Sequence, residues 1–176
     1  MYWIDVDDNY LDFLREFENR IPYSDYGTDR MKPFFGVLFD TDEFSYVTQV
    51  SHPQKRHEKM KQARDFYKLY DNESNKNRVI GVVNLNYMFP VFKNRIVRLK
   101  MSDIDSLRSF TSNEQKTKYI NLLNKEMREI NNLPIEKNAY RIYTDKYRYT
   151  ESIISKRCLD YKALEDRARE WLVQIF

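Results

Sequence analysis

The octet VSHPQKRH, residues 50 to 57, holds both histidines of the chain, His52 and His57, beside the hydroxyl of Ser51 and the cations Lys55 and Arg56. These residue types suit a phosphodiester. Cations neutralise its oxygens, a hydroxyl donates to them, and a histidine, with an ordinary pKa of roughly 6.5, exchanges protons near neutrality. The same residues also read as a polar helix start, with Ser51 as a cap ahead of Pro53. The preceding run FSYVTQV alternates as a strand, so the octet is expected to leave a strand end.

Other chemistries have little in the chain to rest on. No Gly-rich phosphate loop, CxxC pair or HExxH helix is present, and one cysteine with two close histidines makes a poor transition-metal set. The expectation is therefore no metal and no cofactor. RNA carries its own nucleophile. Its 2′-hydroxyl attacks the adjacent phosphate and expels the 5′-oxygen, provided a protein aligns the atoms, moves protons and stabilises charge.

The net charge of +3 is modest, but the cations are grouped. Residues 52 to 68 carry six cations against Glu58 and Asp65, a net of +4, and residues 137 to 157 carry six against Asp145 and Glu151, again +4. Arg56, Lys59 and Arg64 belong to the first group, and Arg141, Lys146 and Arg148 to the second. Two such groups read as a polyanion footprint or as solvated faces. In the second, Tyr140, Tyr143, Tyr147 and Tyr149 alternate with the cations. That mixture stacks bases and holds phosphates, or else packs its tyrosine face inward.

Strands are expected at 2–6, 34–39, 44–50, 66–70, 78–89 and 95–99. Helices are expected at 8–19, from Gln54 to Arg64, near 102–110, and over the stripe Tyr119, Leu122, Leu123, Met127 and Ile130. Two more are expected at 136–150 and after Asp160, where Leu164, Ala168, Trp171 and Ile175 share a face. The pattern is α+β, with helices segregated to the C-terminal half, in one domain spanning 1–176. Lone Cys158 fits a reducing cytoplasm, no apolar run approaches the roughly 20 residues of a membrane span, and the acidic first residues lack a signal peptide's basic start.

Taken in order, KPFFGVLF, YVTQVSHPQKRH, IGVVNLNYMFPV and the closing CLDYKALEDRAREW resemble the ToxN/AbiQ family of type III toxin–antitoxin endoribonucleases, most strongly over residues 32 to 91. The resemblance implies a compact antiparallel, partly open β-barrel like that of the MazF/Kid toxins, with added helices. It implies a metal-independent endoribonuclease toxin that leaves a 2′,3′-cyclic phosphate on cellular or phage mRNA. It also implies a repetitive pseudoknot RNA antitoxin, which the toxin trims and which inhibits it in a closed ring of alternating protein and RNA, in phage defence by abortive infection. By position, Tyr10 matches the family's first-helix tyrosine, Lys32 the lysine before the apolar strand, and Ser51 the first hydroxyl of the loop. Tyr26 takes the part of a loop tyrosine, and His57 matches a histidine downstream. The chain departs from the pattern where His52 replaces a second hydroxyl residue and Gln54 a lysine, with Lys55 one position later. The expected catalytic set is Ser51, His52, Lys55, Lys32 and Tyr10. The RNA contacts are expected from Tyr26, Arg56, His57, Lys59, Arg64, Arg141, Lys146 and Arg148. A non-catalytic RNA-binding protein on the same scaffold is the alternative.

Overall fold

In the computed structural model, which describes residues 1–26, 31–73 and 78–174, seven strands form one antiparallel open sheet and most helices follow it in the chain. The strands are β1 (Tyr2–Asp5), β2 (Phe34–Gly36), β3 (Phe44–Ser51), β4 (Phe66–Asp71), β5 (Arg78–Asn84), β6 (Phe89–Phe92) and β7 (Val97–Arg98). The helices are α1 (Asp8–Phe17), α2 (Lys55–Lys59), α3 (Ile104–Leu107), α4 (Asn113–Asn132), α5 (Ile135–Arg148), α6 (Ile153–Arg157) and α7 (Tyr161–Gln174). Ile175, expected on the last helix's buried face, and parts of two expected polar loops, 27–30 and 74–77, lie outside the described residues.

The sheet runs β4-β5-β3-β2-β1-β7, with β6 also paired to β3. β3 is its organising strand. One edge meets β2, with Phe34 opposite Gln49 and Phe35 opposite Thr48. The other meets β6 along Phe44 to Val47 and β5 at Val50 and Ser51. β5 and β6 thus follow one another along a single edge, which is why 78–89 reads as one strand in sequence. The structure corrects that reading: Leu85–Tyr87 is a 3-10 turn between them. Asn84 accepts the Asn86 N–H, and Asn86 donates to the Asp65 carboxylate at 2.9 Å, so side chains take bonds that a continuous ladder would need. Pro90, which lacks an N–H, sits in β6 opposite Tyr46.

β7 and α3 are shorter than expected, and so are β2 and α2. β2 stops at Gly36, although Leu38 N–H still donates to Tyr46 O and Tyr46 N–H to Phe39 O, each at 2.9 Å. α2 ends at Lys59, because the chain turns extended at Met60 and then closes the Ala63–Phe66 bridge that starts β4. α6 is an element the periodicity did not announce, capped by Ser152 on Ser155 N–H at 3.1 Å.

Helix starts follow their caps. Asp7 accepts from Asn9 N–H, Ser112 from Gln115 N–H, and Asp160 from Ala163 N–H. α4 lies on β4 and β5, while α7 packs on β6 and α1. Leu123 and Ile130 of α4, Leu11 and Leu14 of α1, and Leu164 and Ala168 of α7 are buried in the shared core. Each large side chain among them contributes about 1.5–3 kcal/mol. Among the described residues no helix is long and apolar enough to cross a membrane.

Candidate active site

The end of β3 and the segment before β2 meet under α4 and enclose a cavity of about 70 Å³. Lys32, Ser51, His52, Tyr119 and Glu126 supply its polar lining, and Trp3, Pro33, Val50, Leu122 and Leu123 its apolar walls. Three residues from the expected catalytic set, Lys32, Ser51 and His52, are therefore brought together although Lys32 is nineteen positions from Ser51.

β3 accomplishes this with two residues on one face. Gln49 donates to Tyr23 O at 2.7 Å and to Lys32 O at 2.8 Å, and accepts the Tyr26 hydroxyl at 3.0 Å. That single side chain fastens the loop bearing Tyr26 and Lys32. Two residues on, Ser51 projects from the same face. From α4, the Tyr119 hydroxyl donates to Met31 O at 2.8 Å and fixes the other side of Lys32, while Trp3 Nε1 ties β1 to α4 through Leu123 O at 3.2 Å. The Lys32 ammonium lies 5.0 Å from the centre of the Tyr26 ring. Ser51 and His52 are exposed at the cavity mouth. Their side chains make no hydrogen bond among the described residues.

The electrostatics follow from burial. Desolvation lowers the pKa of Lys32, opposed by Glu126. Desolvation pushes Glu126 up to about 8, opposed by Lys32. Both groups are thus poised nearer neutrality than free side chains, since burial disfavours each charged form. Glu126 was not singled out from sequence, where it is one of seven charges along α4. Its signal is spacing: it falls three residues after Leu123 and four before Ile130, inside the buried stripe. Gly81 of β5 makes room for it. A Cβ there would come within 2.5 Å of Val50 Cγ1 and 3.1 Å of Glu126 Oε1.

Other expected site residues lie elsewhere. Tyr10 is a core residue, not a lining one: it is buried against Trp171, its hydroxyl donates to Pro90 O at 2.6 Å, and burial raises its pKa far above the usual phenol value. Lys55, at the start of α2, lines a neighbouring open groove with Pro53, Gln54, Glu58 and Arg78. His57 is buried on Phe66, and its Nδ1 accepts the Gln54 N–H at 3.0 Å. It fastens α2 to the loop and also lines the groove beside Lys55. Burial, then Arg56 and Lys68, lower its pKa. Arg56 and Lys59 are exposed on α2.

Arg64 pairs with Asp145 at 2.5 Å, and Lys146 donates to Ser155 O at 2.9 Å, so both are engaged in joining elements. Arg141 and Arg148 are exposed, with Arg148 5.3 Å from the Tyr149 ring. The tyrosines of α5 divide: Tyr143 and Tyr147 pack inward, while Tyr140 and Tyr149 are exposed. None of these α5 residues lines the cavity. Among the described residues no group of three or more His, Cys, Asp or Glu is placed to hold a metal ion.

Comparison with known proteins gives consistent matches. A family described as toxin ToxN of a type III toxin–antitoxin system matches residues 2–169. The endoribonuclease ToxN of Pectobacterium atrosepticum is 24% identical over 106 residues, which span 59% of this chain and 61% of that protein, just under two thirds of its length. Among solved structures, AbiQ, a lactococcal anti-phage endoribonuclease belonging to a type III toxin–antitoxin system, superposes with a TM-score of 0.75 at 20% identity, over 97% of this chain and 96% of its own. A type III toxin selectively inhibited by a non-coding RNA pseudoknot superposes with a TM-score of 0.71 at 20% identity, over 96% of each chain. A chain from a bacterial antiviral system regulated by a processed non-coding RNA does so with a TM-score of 0.70 at 21% identity, over 97% of this chain and 98% of its own. At these identities the structural likeness establishes the fold.

Proposed function

Because this chain belongs to the ToxN family of type III toxin–antitoxin toxins, we propose that it is an endoribonuclease whose catalytic centre is the cavity under α4. The observation that carries this reading is the convergence of Lys32, Ser51 and His52 from separate segments on a space the size of a phosphate group. Lys32 neutralises a non-bridging phosphoryl oxygen, and Ser51 donates a hydrogen bond to the same group. His52, at the mouth, takes the proton of the attacking 2′-hydroxyl. Attack forms the 2′,3′-cyclic phosphate and releases a 5′-hydroxyl. Tyr26, fixed over Lys32 and partly exposed, offers a face for a base flanking the scissile bond. Lys55, Arg56 and Lys59 carry the RNA backbone past the cavity along the neighbouring groove.

Two similar proteins are a toxin inhibited by an RNA pseudoknot and an anti-phage endoribonuclease. By that analogy a repetitive pseudoknot RNA occupies the same groove here and holds the enzyme inactive in a ring of alternating protein and RNA. The free toxin then cuts cellular or phage mRNA in the cytoplasm during infection. The placement of Lys55 outside the cavity favours the second reading, an RNA grip without cleavage.

Incubation with an adenine-rich RNA in EDTA decides between them. The expected result is cuts at defined sites ending in 2′,3′-cyclic phosphate, lost in Ser51→Ala and His52→Ala. Binding without cutting, unchanged in both variants, contradicts the proposal.

A further inference from the structure

Three carboxyl side chains are buried among the described residues: Asp65, Glu126 and Glu165. Two have partners suited to a buried acid. Asp65 pairs with Arg157 at 2.6 Å and accepts from Asn86, and Glu165 accepts the hydroxyls of Tyr46 and Tyr143 at 2.8 and 3.1 Å. Glu126 makes no hydrogen bond or ion pair among the described residues. It is 6% exposed, and that exposure opens on the cavity that Lys32, Ser51 and His52 line. Nor is it there by default of packing. Its carboxyl is seated closely over Gly81, where a Cβ would stand 3.1 Å from Oε1 as well as 2.5 Å from Val50 Cγ1. A buried acid without a partner costs stability, so the arrangement calls for another explanation.

Resting on the reading that this cavity cleaves RNA, the geometry points to Glu126 as a catalytic residue: the general acid that protonates the departing 5′-oxygen. The groups facing it are Lys32 from the segment before β2, His52 from the end of β3 and Tyr119 from its own helix. From the sheet, Trp3, Val50 and Ser51 line the same cavity, and Gly81 lies beneath the carboxyl. Burial keeps the carboxyl protonated to about pH 8, and an entering phosphate, adding negative charge, holds it protonated further. It is therefore a proton donor at neutral pH.

In the step itself, His52 takes the proton of the 2′-hydroxyl as the 2′-oxygen–phosphorus bond forms. The phosphorus–5′-oxygen bond breaks, its electron pair stays on the 5′-oxygen, and that oxygen takes the proton of Glu126. Lys32, beside the new carboxylate, offsets its charge. Water then returns a proton to Glu126 and receives one from His52, which restores both groups.

The test uses two short RNAs, identical except that one carries sulfur in place of the 5′-bridging oxygen at the scissile linkage. A thiolate leaves without protonation, so it has no need of a general acid. Glu126→Gln is expected to slow cleavage of the all-oxygen RNA by about 100-fold or more and to cut the 5′-thio RNA within a few-fold of wild type. An equal loss on both overturns the acid role and leaves Glu126 a positioning residue for Lys32. The wild-type protein provides a second readout that depends on no variant. Its rate on the all-oxygen RNA should fall as pH rises above about 8, and the 5′-thio RNA should lack that fall. An equal fall on both RNAs also overturns the role, because loss of the Lys32 charge slows both alike. If wild-type protein cuts neither RNA, the cleavage reading fails, a result distinct from either of these.

Discussion

Two polar regions flank β5, and they are built in opposite ways. Past its C-terminal end, Asp65 receives Arg157 and Asn86, Asn86 accepts the Cys158 thiol at 3.2 Å, and the Tyr161 hydroxyl donates to Leu85 O at 3.3 Å. Nearly every polar atom there has a partner, with Asp65 Oδ1 the exception among the described residues. Beside the middle of β5, over Gly81, the cavity collects a lysine, a serine, a histidine and a glutamate with hardly a bond between their side chains. Buried polar groups that satisfy one another specify a fold. Groups held close but left unsatisfied retain their capacity for a ligand.

The largest effect that sharpens this contrast is expected at Lys32. Lys32→Ala removes the cation that faces the phosphate and should lower single-turnover cleavage by roughly 10²–10³-fold, with thermal unfolding little changed. A loss of activity no greater than tenfold would move the charge-stabilising role elsewhere.

The next effect is on stability, and its sign separates the two regions. The pKa of Glu126, at about 8 in the folded protein, lies above that of a carboxyl in the unfolded chain. The folded state therefore holds the proton more tightly. The stability this confers is complete at acid pH and is lost as pH rises through about 8. An amide in place of the carboxyl does not titrate and would carry no such loss. Glu126→Gln should match wild type near pH 4 and exceed it by on the order of 3 kcal/mol at pH 9, read from urea unfolding across pH. A difference that does not grow with pH would mean that the carboxyl is not buried as a neutral acid.

At the other region the sign reverses. Asp65→Asn removes the charge facing Arg157 and should cost roughly 2 kcal/mol at neutral pH, below the cost for a fully buried pair because Arg157 is half exposed. A neutral outcome in urea unfolding would place the Asp65 network among decorative ion pairs. A smaller effect is expected at the glycine between the two regions. Gly81→Ala would crowd Val50 and lift Glu126, costing about 1–2 kcal/mol and slowing cleavage. Slowing without destabilisation would argue that the carboxyl, and not the packing, is what Gly81 serves.

Much of the strand half was legible because it depends on local pattern. FSYVTQV alternates enough to read as a strand, although the structure buries both of its faces, and its end put Ser51 and His52 at a strand terminus. The β5–β6 break was not legible, since Leu85 and Met88 are as apolar as strand residues and the interruption depends on Asp65, nineteen positions before Asn84. α2 was overextended because Lys61, Gln62 and Arg64 suit a helix well, and only the pairing of Phe66 with Ala63 cuts it short. In the site, Lys32 and Ser51 came from ordered motifs. Tyr10 came from the same resemblance, yet its hydroxyl belongs to Pro90. Glu126 stayed hidden because α4 also carries Glu114, Lys116, Lys118, Lys125, Arg128 and Glu129, and only the sheet beneath the helix decides which charge is buried.

The most direct measurement compares single-turnover cleavage of one RNA, at pH 7 in EDTA, by wild-type protein, Glu126→Gln and Asp65→Asn, each checked for its folded fraction by circular dichroism. The account predicts that Glu126→Gln is at least as stable as wild type and cuts at least 100-fold more slowly. It predicts that Asp65→Asn is less stable and cuts at the wild-type rate per folded molecule. Wild-type cleavage by Glu126→Gln, or a catalytic loss in folded Asp65→Asn, would contradict the division of the molecule into a satisfied network that holds the fold and an unsatisfied cavity that does the chemistry.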